Sequence, residues 1–257
     1  MLGCGAVGTY FASRLARAGY TVYCVTKAAG GADKARSVTS CHCRSEVLRE
    51  HIIFDTGLPR QVDICLATTH LNDMEAVLKD NAASLSQTPV VTVQNGIGSF
   101  DVARRFIDED CVVTGVLMKG IYVDGRGDLQ ATKGGELVIG ARGRTRRSVL
   151  KQAKKVLQPV LNVVIAENIT GVQYLKIFVN LAHPLAFLIN RPLTETFSDI
   201  RMSLLAMRLR REAYRIISGV DIQLEDIPSF PKRIIDYSVR LPIEESAEQF
   251  RRSIASR

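Results

Sequence analysis

The sequence predicts an α/β chain: a doubly wound parallel sheet over residues 1–166, then an all-α second domain over residues 167–257. Three observations carry that prediction. Short apolar runs rich in β-branched residues alternate with helical patterns through the first part of the chain. A glycine-rich turn stands at the head of the first helix. Strand patterns cease near residue 166, and helical periodicity takes over.

The turn is Gly3-Cys4-Gly5-Ala6-Val7-Gly8, a G-x-G-x-x-G fingerprint. Apolar positions at helical spacing follow it (Val7, Tyr10, Phe11, Leu15, Ala18), then Gly19 and the strand-like run Tyr20 to Thr26. In a Rossmann-like dinucleotide site the first glycine permits the tight turn. The second lets a pyrophosphate approach the main chain, and the third lets the helix pack on the sheet. Helix N–H groups then hold the phosphates. Only Met1-Leu2 precede the loop, where the pattern calls for a full strand.

His51 to Phe54 reads as a strand, Val62 to Thr68 as a buried one, and Asn72 to Leu85 as a helix. Pro89 to Val93 is a further buried strand, and it runs into the polar turn Gln94-Asn95-Gly96-Ile97-Gly98. Cys111 to Val116 is another strand. Two antiparallel strands are expected around Asp124-Gly125-Arg126-Gly127, and a helix over 145–157. In this architecture ligands bind beyond the carboxyl ends of the strands. Thr68, Thr69, His70 and Asn95 fall there. Helices are expected over 168–189 and 194–218, before an irregular end broken by Pro228, Pro231 and Pro242.

With 257 residues, 46% of them apolar, the chain can bury a sizeable core in two domains. It shows no apolar run of roughly 18 residues and no signal-peptide pattern, so a soluble cytoplasmic protein without membrane partners is expected. Six cysteines without paired spacing read as unbridged thiols. Cys41-His42-Cys43 fits no common zinc spacing, so no metal is expected. The net charge of +8 gathers in Arg142, Arg144, Arg146, Arg147, Lys151, Lys154 and Lys155. Val149, Leu150, Ala153 and Leu157 are interleaved at helical spacing, which makes this run the solvated side of a helix rather than a nucleic-acid surface.

Two further positions bear on chemistry. After the second strand stands Lys27, with Lys34 and Arg36 nearby, where NAD-preferring sites place a carboxylate. An ammonium attracts a 2′-phosphate, so NADP is favoured, although a solvated Lys27 would look the same. In the second part, Gln173, Lys176 and Asn180 fall three and four apart, on one face of an otherwise apolar helix. His183 extends that stripe if the helix runs on. A lysine so placed is suited to proton transfer, or else snorkels to solvent.

Taken together, these residues resemble the ketopantoate reductase (2-dehydropantoate 2-reductase) family. The resemblance rests on Gly3 to Gly8, Lys27, the Gln94 to Gly98 turn, Lys176 with Asn180, Pro184-Leu185, Glu212 and Gly219-Val220. It implies NADPH-dependent reduction of a 2-oxo acid, ketopantoate to pantoate, on the route to pantothenate and coenzyme A. Lys176 would be the general acid, and Asn180 and His183 would bind substrate. Gly3, Cys4, Gly5, Ala6, Val7, Gly8, Lys27, Thr68, His70 and Asn95 would bind NADPH. The helical domain would serve substrate binding and dimerisation, in a monomer or homodimer. The chain departs from the family pattern at His70, where the family has lysine, and in its shorter spacing from Asn180 to Pro184. It also closes at Arg257, before the segment the family uses to hold substrate. The alternative expectation is a truncated relative that keeps the fold, and with it nucleotide binding, but is impaired in catalysis.

Overall fold

The computed structural model describes residues 1–26, 37–40, 43–46, 49–220 and 222–255. The chain forms two compact units, Met1–Ile169 and Thr170–Arg257.

Along the first unit run α1 (Ala6–Arg17), β1 (Val22–Val25), β2 (Ser37–Ser40), β3 (Cys43–Glu46), β4 (Ile52–Asp55) and β5 (Cys65–Ala67). Next come α2 (Leu71–Asp80), α3 (Ala82–Leu85), β6 (Val90–Thr92), α4 (Ser99–Ala103) and β7 (Val112–Leu117). The unit closes with β8 (Ile121–Val123), β9 (Leu129–Ala131), β10 (Leu137–Gly140), α5 (Arg147–Leu157) and β11 (Val163–Ala166). Strands β5, β6 and β7 are parallel neighbours, and β1 pairs in parallel with β4. Strand β10 runs antiparallel to β7 and carries β11 parallel to itself, so the sheet is parallel-dominated rather than wholly parallel. A second sheet, ordered β3-β2-β9-β8, includes the hairpin expected around Asp124.

Helices cover both faces of the main sheet, and the strand residues alternate between two cores. Cys24, Leu66, Val91 and Val113 join Tyr10, Phe11 and Leu15 of α1 and Val149, Leu150, Ala153 and Leu157 of α5. Val25, Cys65, Ala67, Val90 and Val112 face Met74, Leu78, Phe100 and Ala103. This is the period of two expected of strands buried on both sides. The basic residues of α5 line its outer side, as the helical reading of 142–155 requires.

The place of the first strand is held by Leu2, which bridges in parallel to both Val25 and Ala67. Its N–H donates to Leu66 O at 2.8 Å and its carbonyl accepts from Thr68 N at 2.8 Å. On the other side, Val25 N donates to Met1 O at 2.9 Å and Gly3 N to Val25 O at 3.2 Å. One residue thus joins β1 to β5 and delivers the glycine loop to the carboxyl edge. Helix α1 then ends on Gly19 at φ 87°, with Gly19 N bonding Ala16 O and Tyr20 N bonding Leu15 O. That pair of bonds closes the helix and turns the chain into β1.

The second unit contains α6 (Ile169–Asn180, entered from the first), α7 (His183–Leu188), α8 (Leu193–Thr196), α9 (Ile200–Gly219), α10 (Lys232–Arg240) and α11 (Ile243–Ala255). Two expectations are corrected. The helix anticipated over 168–189 breaks after Asn180, because Pro184 has no N–H to continue it and instead sits in the first turn of α7. The end of the chain is regular rather than irregular. Pro231 precedes α10, and Pro242 O accepts the Ser246 N–H of α11. At a helix start a missing N–H leaves no bond unmade. The core joins Ala182, Phe197, Ala206, Met207, Phe250 and Ile254. Phe197 and Phe250 meet edge to face, with centroids 5.0 Å apart.

Candidate functional site

At the carboxyl edge of the sheet three turns converge. Gly3 takes φ 92°, open to glycine and strained for other residues, and a Cβ there would lie 2.7 Å from Thr69 Cγ2. Gly8 packs so closely that a Cβ would collide with Gly3 O and come within 2.7 Å of Thr68 Oγ1. Gly5 differs. It is exposed, and a Cβ built on it meets nothing within 4 Å. Gly5 also caps α1, which has neither a side-chain cap nor an acid in its first turn. Its leading N–H groups lack intrahelical acceptors, and the helix dipole favours an anion there. The residues present therefore fit a dinucleotide pyrophosphate: tight packing where the loop meets the sheet, open space where a ligand would approach.

The neighbouring turns hold the loop in place. Thr68 Oγ1 lies 2.8 Å from Gly3 O and 3.1 Å from Leu2 O, and donates to them. Gln94 is buried, and its amide Nε2 donates to Ala67 O at 2.8 Å and Thr69 O at 3.0 Å, tying the end of β6 to the turn after β5. Gln94 Oε1 and Thr69 Oγ1 are buried with no hydrogen-bond partner. The role of Gln94 as a brace was not assigned from sequence. The signal available was a glutamine, long enough to span two strand ends, opening the turn after a buried strand.

The other expected cofactor residues are placed as follows. Ala6 and Val7 form the first turn of α1 and, like Cys4, pack half-buried against the core. Interaction with the Cys24 thiol holds the Cys4 thiol below its ordinary pKa, against the opposing effect of burial. His70 precedes α2 with an extended ψ of 153° and is exposed, as is Asn95. Lys27, Lys34, Arg36, Cys41 and His42 lie outside the described residues. Among the described residues no group of His, Cys, Asp or Glu could hold a metal, and no helix is long and apolar enough to cross a membrane.

In the helical unit, Gln173, Lys176 and Asn180 lie on one continuous helix and so share a face. Gln173 is buried, and Lys176 and Asn180 are half-buried. His183 does not extend their helix. Its Nδ1 is 3.1 Å from Asn180 O, so the ring caps the end of α6 with Nδ1 donating. A cavity of about 330 Å³ is lined by His183, Arg210, Tyr237 and Phe250, and not by Lys176 or Asn180. Arg210 lies over the Phe250 ring, 4.5 Å from its centroid, and donates to Val179 O. A larger cleft of about 490 Å³ is lined by Arg60, Asp63, Gln87 and Arg146 near the amino ends of β5 and β6, and includes none of the expected site residues.

Solved structures share this fold. D-mandelate dehydrogenase in ternary complex with NADH and anilino(oxo)acetate aligns with a TM-score of 0.74 at 17% identity, covering 99% of each chain. The 2-dehydropantoate 2-reductase of Geobacter metallireducens aligns with a TM-score of 0.76 at 14% identity, over 97% of this chain and 86% of that one. The enzyme of the same name from Methylococcus capsulatus gives 0.66 at 19% identity, over 94% and 79%. No curated protein sequence matches the chain. The family model described as ketopantoate reductase PanE/ApbA matches residues 1–144, more than half of the sequence. With its glycine cradle, its braced strand ends and its helical second unit, the chain belongs to the ketopantoate reductase family, a family of oxidoreductases.

Proposed function

We propose that the chain reduces a small 2-oxo acid with NADPH, and that the pair is ketopantoate and pantoate, in pantothenate and coenzyme A biosynthesis. The observation that carries this reading is the open Cβ position of Gly5 at the uncapped N-terminus of α1, inside a family whose name is that reaction. Gly3 to Gly8 receive the pyrophosphate, with Thr68 bracing the loop. His70 and Asn95 flank the cofactor from the neighbouring turns, and Lys27 selects the 2′-phosphate. A bound nicotinamide supplies the hydride to the ketone carbon. Lys176 donates the proton that converts the developing alkoxide to the hydroxyl group. Asn180 holds polar groups of the substrate, and His183 orients the end of the helix that presents them. The sheet unit is the nucleotide domain of a cytoplasmic monomer or homodimer, and the helical unit serves substrate binding.

Calorimetry with NADPH and NADH, followed by NADPH oxidation with ketopantoate, tests this. Tighter binding of NADPH with turnover is the expected result. If neither nucleotide binds, the reading of Gly3 to Gly8 is wrong. Binding without turnover on any 2-oxo acid leaves a nucleotide-binding relative impaired in catalysis. A second substrate class is favoured by the D-mandelate dehydrogenase likeness, whose complex holds an anilino-substituted oxo acid. Higher kcat/KM on a phenyl-bearing 2-oxo acid than on ketopantoate would select it.

A further inference from the structure

The cavity of about 330 Å³ in the helical unit has an apolar body and a charged point. Phe178 of α6, Phe197, Met207 of α9, and Phe250 and Ile254 of α11 supply its buried wall. Half-buried Arg210 of α9 supplies the charge, and among the described residues no Asp or Glu lines the cavity. The guanidinium is held in place. Its Cζ lies 4.5 Å from the Phe250 ring centroid and 5.7 Å from that of Phe178, and Nη2 donates to Val179 O at 3.3 Å. Two hydroxyls of the lining turn their protons to the main chain, Ser246 to Ser238 O at 2.6 Å and Ser253 to Phe250 O at 2.8 Å. Tyr237 and Gln249 are exposed lining residues whose side chains make no hydrogen bond among the described residues. The lining thus offers an apolar bed, a fixed cation and unused donors, with no anion of its own.

We propose that this cavity binds a small organic carboxylate with an apolar body, its carboxylate on Arg210 and its body among the Phe178, Phe197 and Phe250 rings. A guanidinium presents a planar fork of N–H donors, and it matches a carboxylate through two parallel bonds. Away from bulk water those bonds and the charge attraction are stronger than at an open surface. An amine is repelled by Arg210, and a neutral alcohol forgoes the attraction. The volume lies at the lower end of small-molecule sites, which suits an acid the size of one substituted ring. His183 reaches the cavity from the end of α6, but Lys176 and Asn180 do not line it. It is therefore a second site, and it does not rest on the function proposed above.

The test is calorimetry and thermal denaturation of the full chain with 3-phenylpropanoate, its neutral amide, and acetate. The acid should bind and raise Tm. The amide and acetate should each bind about 10–100-fold more weakly, since one lacks the charge and the other the apolar body. Arg210→Met should weaken binding of the acid by a similar factor and leave that of the amide unchanged. Because Arg210 also braces Val179 and Phe250, that variant can fail to fold, so the ligand is located in the wild-type protein as well. Nuclear Overhauser contacts should join its ring protons to the buried Met207 methyl group, which lines the cavity. No binding of the acid, equal binding of acid and amide, or a bound acid without contact to Met207 would each overturn the proposal. So would displacement by ketopantoate or loss of binding in Lys176→Met, since either places the acid in the reductive site. The probes carry no keto group and the assay contains no NADPH. Failure here therefore leaves the reductase reading in place, and failure of that reading leaves this site.

Discussion

The glycine loop of the sheet unit and the polar face of α6 would present the groups of the proposed function in opposite ways. At the loop the groups are main-chain N–H donors, positioned by where a Cβ is forbidden (Gly3, Gly8) and where it is free to stand (Gly5). Thr68 and Gln94 bind main-chain carbonyls and fix the loop's register against the sheet. On α6 the groups are the side chains of Lys176 and Asn180, carried by a helix that would form equally well with other residues there. The first site is therefore sensitive to added volume, and the second to lost chemistry.

The largest effect is expected on α6. Lys176→Met keeps the aliphatic stem and removes the proton, so kcat should fall about 10²–10⁴-fold while NADPH affinity and thermal stability stay unchanged. An equal loss of nucleotide affinity would contradict the division of labour between the two units. At the loop the response is split. In Gly8→Ala the new methyl group meets Gly3 O and Thr68 Oγ1, and overpacking of this kind costs about 1–3 kcal/mol. Gly5→Ala keeps φ at −70° with nothing in reach. The weaker helix cap is offset by a less flexible unfolded chain, leaving stability within about 0.5 kcal/mol. Its effect should fall on the ligand, with NADPH affinity down about 10–100-fold. Chemical denaturation and calorimetry on the same two proteins separate these outcomes. Equal destabilisation of both would show that the space beside Gly5 is not a ligand's.

Much of this was readable from sequence because it is local. The glycine spacing, the α1 periodicity and Gly19 specify a turn, a helix and its stop within twenty residues, and the structure forms each of them. The alternating strands 62–68, 89–93 and 111–116 were equally plain, since runs buried on both faces are continuously apolar. What escaped was non-local, or depended on a boundary. Leu2 could not be read as a strand because its partners, Val25 and Ala67, are far along the chain. Pro184 stands in a helix pattern whose apolar period continues on both sides of it, and His183 is a cap rather than a fourth member of the Gln173, Lys176 and Asn180 stripe. Pro231 and Pro242 read as breaks in the sequence pattern and are starts in the structure.

A smaller effect separates bracing from binding at the loop. Replacing Gln94 with Leu removes two amide bonds and leaves Ala67 O and Thr69 O to other donors, for about 1–3 kcal/mol of stability. Thr68 is a finer probe. Its main-chain N–H holds Leu2 O whatever the side chain is, so only the hydroxyl's shared bond to Gly3 O and Leu2 O is at stake. Thr68→Val removes that bond at nearly constant shape, and about 1 kcal/mol of stability should go with it. If the hydroxyl also sets the pitch of the glycine loop, NADPH affinity falls by a similar factor, and Thr68→Ser, which keeps the donor, restores both. A Val variant that loses stability but binds NADPH normally would show that Gly3 and Gly8 shape the loop by packing alone, with Thr68 only fastening it to the sheet.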